Sequence, residues 1–107
     1  MRRLALALLV FATRAPAALP APDPDNGGIT LPPGFRAVVF ADNLIAGRTV
    51  AGRPNNLRFL AVAPNGDVYA KTRRGPLLAL RDTDGDGRAD IVREFGAGGG
   101  TGLMLHR

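Results

Sequence analysis

LRFLAVAPNGDVYAKTRRGPLLALR, residues 57–81, is the stretch whose reading decides the fold. Leu57 to Ala63 is an apolar run of strand length. Pro64-Asn65-Gly66-Asp67 is a turn in which Asn-Gly takes positive φ at little cost. Asp67 to Lys71 alternates apolar and polar, Arg73-Arg74-Gly75 turns again, and Pro76 to Arg81 is a third strand. Downstream, the aspartate-rich segment Asp82 to Asp90 separates this strand from a fourth, Ile91 to Phe95. Short strands of even spacing, joined in chain order by tight turns, predict an all-β antiparallel meander, the unit from which a β-propeller blade is built.

Upstream, Ala37 to Ala41 (AVVFA) is β-branched and predicts a strand, whereas 43–56 holds Gly47, Gly52 and Pro54 without a clear period and reads as a loop. Residues 18–28, rich in Pro, Asp and Gly, read as a flexible lead-in. Before them stands Met1-Arg2-Arg3, a positive start, and the unbroken apolar run Leu4 to Ala12. Ala15-Pro16-Ala17 then supplies small residues at a cleavage site, so 1–17 have the pattern of a secretory signal peptide, helical if retained, and the chain is expected to be exported to the periplasm or outside the cell. The alternatives are a buried N-terminal helix or an uncleaved anchor. The apolar run is shorter than the roughly 20 residues of a membrane span. No helical period stands out after the leader.

The whole chain has 14 Lys+Arg against 9 Asp+Glu. Three arginines lie in the leader, which leaves 11 against 9, an ordinary surface and not a nucleic-acid footprint. There is no cysteine, hence no disulfide, lipidated N-terminal cysteine or C-x-x-C-H haem site. His106 is the single histidine, so a Ser-His-Asp triad or a multi-histidine metal site is not available within this chain.

A single blade of roughly 85 residues buries only about 60–65% of its unfolded surface. Leu57 to Ala63, apolar on both faces, calls for cover from both sides. Gly102 to Arg107 has the pattern of another strand cut short. Residues 29–107 are therefore expected to form about one blade of a propeller in a truncated chain, with a small stand-alone β-domain as the alternative.

Asp82-Thr-Asp-Gly-Asp-Gly-Arg-Ala-Asp90 matches the first nine positions of the twelve-residue calcium loop. Asp82, Asp84 and Asp86 at positions one, three and five turn carboxylates toward one centre as the chain curls. Gly87 permits the sharp bend, Arg88 offers a backbone carbonyl, and Asp90 binds directly or through water. Carboxylates this close repel one another without a cation, and a hard cation with oxygen ligands, calcium above all, suits the set. Position twelve holds Arg93 in place of the bidentate Glu, with Glu94 one step late, and the flanks are strands rather than helices. A helical calcium sensor is excluded. What is expected is a weak structural site with a Kd on the order of 10⁻⁴–10⁻³ M, and the alternative is a solvated Asp-Gly turn. Ala97 to Gly102 lacks the Gly-Lys-Ser/Thr ending of a phosphate loop and reads as a flexible crossing.

Leu31-Pro-Pro-Gly-Phe35, Val39 to Leu44 (VFADNL), Arg58 to Tyr69, Leu80 to Asp90 and Gly99 to Leu103 (GGTGL) together resemble the start of the sorbosone/glucose dehydrogenase-like proteins, six-bladed propellers that use pyrroloquinoline quinone. The resemblance runs from Ile29 to the C-terminus. It implies an oxidoreductase acting on a sugar or a related alcohol or aldehyde, with a cytochrome as electron acceptor, and a histidine base with cofactor contacts from later blades. The family's Gly-Gln-Asn-Gly-Leu crossing has Gly100 and Thr101 here in place of Gln and Asn, so that cofactor contact is absent or replaced. The family's catalytic calcium lies in later blades, and the loop at Asp82 to Asp90 is a peripheral feature. No catalytic residue carries over to this chain, and His106 is outside the base's motif. The other function class that the same scaffold serves is a non-catalytic module, stiffened by calcium, that binds carbohydrate or protein at the cell envelope.

Overall fold

The computed structural model describes residues 18–45 and 47–106, and the signal-peptide assignment of 1–17 lies outside them. The described chain is all-β. Two short strands, β1 (Thr49–Val50) and β2 (Arg53–Pro54), form a hairpin. Four strands, β3 (Leu57–Val62), β4 (Val68–Thr72), β5 (Leu77–Arg81) and β6 (Ile91–Phe95), form one sheet in the order β3-β4-β5-β6, every pair antiparallel. This is the expected meander, with each strand within a residue of its expected bounds. Among the described residues no helix is long and apolar enough to cross a membrane.

The turns explain the order. Between β3 and β4, Gly66 N donates to Ala63 O at 2.9 Å and Gly66 takes φ +89°, while Asp67 N donates to Asn65 Oδ1 at 3.1 Å. Between β4 and β5, the buried Thr72 hydroxyl donates to Pro76 O at 2.8 Å and accepts from Gly75 N at 3.0 Å. One side chain thus satisfies two backbone groups of a tight turn, as burial requires.

The register sorts side chains between two faces. Val68 stands opposite Leu80 and Ala70 opposite Leu78, and these residues share one face with Leu60 and Val62 of β3. Ala70, Leu78 and Leu80 are its buried core, and Phe40, Ala41, Leu44 and Ile45 pack over it. On the opposite face Tyr69 meets Phe95 edge to face, with ring centroids 6.4 Å apart. The outer strands stay open: Phe59 is 49% exposed, Leu60 59% and Phe95 47%.

Two expectations need correction. Residues 37–41 are not a strand. Their backbone groups find partners other than a ladder: Ala37 N donates to Asn26 Oδ1, Val39 N to Asp23 Oδ2, and Phe40 O accepts from Ala89 N. The segment lies as a strap across the sheet face, which its apolar side chains cover. The span 43–56 is also not wholly loop, because Ala51 (φ +50°) and Gly52 (φ +70°) form a turn with two left-handed residues that closes the β1–β2 hairpin. Within the lead-in, Asn26–Gly28 is a 3-10 turn whose Gly27 N donates to the Asp25 carboxylate.

Candidate metal centre

The β5–β6 connection holds the aspartates singled out from the sequence. Asp82 sits directly after β5, and its two carboxylate oxygens accept from Gly85 N at 2.7 Å and Gly87 N at 2.8 Å. Asp84 Oδ1 accepts from Asp86 N at 3.1 Å, and Asp86 Oδ1 accepts from Arg88 N at 2.8 Å. Each aspartate thereby caps a backbone N–H two or more residues ahead, which is the local preference that curls Asp-rich turns. The curl brings one carboxylate oxygen each of Asp82, Asp84 and Asp86 within 4.8 Å of one another. Three oxygens at that spacing form an open set suited to a hard divalent cation.

The other two residues expected at the site, Asp90 directly or through water and Arg88 by its backbone carbonyl, have side chains with partners of their own. Asp90 Oδ2 accepts from both the amide and the hydroxyl of Thr83, each at 2.6 Å, which pins the end of the loop to its start. The Arg88 guanidinium turns away from the loop, donating to Asp23 Oδ1 at 2.5 Å and to Val39 O at 3.1 Å. Glu94, the carboxylate nearest the missing twelfth position, pairs with Arg48.

The electrostatics follow this geometry. At Asp84, which is exposed, the Asp86 N–H pulls the pKa down, but some loss of hydration, the charges of Asp86 and Asp90 and the contact with Asp82 outweigh it, and the carboxyl is raised above its ordinary value. At Asp82 burial pushes upward, yet the Gly87 and Gly85 N–H bonds win and hold it low. Asp90 is held low by the Thr83 hydroxyl and amide. The loop therefore carries one carboxylate whose charge is resisted, Asp84, between two whose charges are well held.

Gly87 is fixed by packing as well as by its φ of +83°. A Cβ there would come 2.7 Å from Pro20 and 3.4 Å from Val38. The loop is thus built against the strap, with Arg88 and Ala89 bonding to it. The Asp23–Arg88 clasp had no signature in the sequence, because its partners are 65 positions apart. The bidentate pair of the buried Asp67 with Arg81 (2.7 and 2.5 Å) was likewise hidden. His106 is exposed near the C-terminus. Gly100, at the crossing, donates its N–H to Thr72 O at 3.2 Å.

Comparison of the chain with protein families, with curated proteins and with solved structures gives no match.

Proposed function

We propose that this chain supplies one blade of an exported β-propeller of the sorbosone/glucose dehydrogenase-like kind, and that its Asp82–Asp90 loop is a structural calcium site bracing that blade. The observation that carries the proposal is the sequential four-stranded meander with apolar side chains left open on both faces. A sheet of this shape needs neighbours, and radial packing of like sheets supplies them. In the loop, Asp82, Asp84 and Asp86 would hold the ion, whose charge offsets their mutual repulsion.

The oxidation of a sugar, alcohol or aldehyde belongs to the assembled propeller. Pyrroloquinoline quinone does not fit the residues present here. The crossing offers the Gly100 backbone and the exposed Thr101 where the family has a cofactor-touching side chain, and His106 stands outside the base's motif. This chain by itself is expected to show no dehydrogenase activity with quinone, calcium and sugar supplied. A non-catalytic propeller that binds carbohydrate or protein at the cell envelope is the second reading, since the same scaffold serves both classes.

The coding sequence that follows Arg107 tests both. A dehydrogenase blade predicts further four-stranded repeats with a histidine and several Lys or Arg in their loops. Repeats without such a histidine favour the binding module, and a reading frame without further strand repeats overturns the propeller.

A further inference from the structure

The charges of the described chain are sorted between the two ends of the sheet. Asp67 lies at the β3–β4 turn, and Asp82, Asp84, Asp86 and Asp90 lie in the β5–β6 loop, all at one end. The other end is built from 47–58, 71–77 and 94–101. These spans hold five arginines and one lysine against the single carboxylate of Glu94. Backbone bonds gather the cations. Arg53 stands opposite Val50 in the β1–β2 hairpin, and the chain just after it is stitched to the β4–β5 turn. Arg73 N donates to Asn56 O at 2.8 Å, and Arg74 Nη1 donates to Pro54 O at 2.9 Å. Arg58 follows Leu57, which pairs with Thr72. Glu94 is taken by Arg48. Arg53, Arg58 and Arg73 are exposed, and among the described residues no carboxylate pairs with them.

Like charges held together on exposed turns, without counter-charges, raise the local concentration of anions. A guanidinium presents a planar fork of donors that matches the oxygens of a carboxylate or sulfate, so an arginine-rich end suits oxyanions in particular. Several unpaired arginines side by side favour a ligand that repeats its charged group over one that carries it once. Beside them runs a shallow groove bordered by Arg74 and the half-exposed Phe95. An acidic sugar offers a partner to each, a charged group for the arginine and an apolar ring face for the aromatic. Neighbouring sheets, where a propeller supplies them, cover the faces of a blade and leave its strand ends open.

We propose that this basic end is a binding surface for an acidic polysaccharide, with Arg53, Arg58 and Arg73 as its principal contacts. The choice of a saccharide rests on the carbohydrate-binding reading above, whereas the basic end belongs to the chain in any assembly.

The test is binding of the full chain to immobilised heparin and polygalacturonate, with dextran as the neutral control. Chelator is present throughout, so that no cation bridges through the aspartate loop. Saturable binding to an acidic polymer and none to dextran is expected, weakening about tenfold or more as salt rises from about 50 to 200 mM. Arg53→Gln together with Arg73→Gln is expected to lower affinity about tenfold or more. Arg36→Gln, at an exposed arginine outside this end, should lower it less than about twofold. In the wild type, bound polymer should shield Arg53, Arg58 and Arg73, but not Arg36, from phenylglyoxal, read by mass spectrometry. That arm decides alone where a variant fails to fold. Equal binding of dextran, an Arg36→Gln loss as large as the double variant's, or uniform shielding overturns the surface. Tighter binding of duplex DNA or of phosphatidylserine vesicles at the same salt overturns the saccharide as its ligand. The reading frame after Arg107 tests the propeller separately, so the two claims fail independently.

Discussion

At the scale of single residues, the buried Asp67 shows how a surface-type sequence signal becomes a structural one. In the sequence it is a turn aspartate. In the fold Arg81 grips it with two bonds and Asn65 with a third. The Arg81 hydrogen bond holds its carboxyl below the usual range, against the opposing effect of burial, with Asn65 adding to the depression. A depressed carboxyl stabilises the fold fully above its unfolded pKa of about 3.9 and loses that contribution as pH falls through the folded value. Melting temperature should therefore drop below about pH 4, and Asp67→Asn should melt lower at pH 7 with a shallower acid decline; an unchanged acid limb would contradict the assignment. Gly99 is a second case. A Cβ there would collide with the Arg73 carbonyl, so the crossing is packed backbone to backbone against the β4–β5 turn. Gly99→Ala is expected to cost about 1–3 kcal/mol, read from the urea midpoint.

At the scale of elements, the four sheet strands were legible because period, turn residues and length agreed. Asn65-Gly66 and Arg73-Arg74-Gly75 mark turns that the structure forms where the sequence puts them. The strap at 37–41 was misread because AVVFA has strand composition but no neighbour to pair with, and composition does not report pairing. The β1–β2 hairpin was missed because Ala51 does not announce a left-handed conformation as Asn or Gly would. The aspartate loop was legible as a cluster of Asp82, Asp84 and Asp86, whereas the destination of the Arg88 side chain depended on tertiary neighbours, Asp23 and Val39. Thr72 gives the element its own prediction. Thr72→Val strips a buried partner from Gly75 N and Pro76 O, and should lower stability by about 1–3 kcal/mol, measured by urea unfolding.

At the scale of the whole molecule, one meander and one strap leave a small core of Ala70, Leu78 and Leu80 and apolar edges open on both sides. Few strands, little buried area and exposed edges place such a chain near the limit of independent folding. Any agent that binds only the folded form then has a visible effect on melting. Calcium is that agent in this account, and Asp84, whose charge the fold resists, is the residue through which to read it. The decisive measurement is thermal unfolding of the full chain in chelator and in 5 mM calcium, for the wild type and for Asp84→Asn. With a Kd on the order of 10⁻⁴–10⁻³ M, 5 mM calcium should raise the wild-type melting temperature by about 4–18 °C. Asp84→Asn should melt higher than the wild type in chelator, because repulsion is relieved, and should gain little from calcium. A wild type indifferent to calcium, or a variant that responds equally, would contradict the loop as a metal site of this sheet.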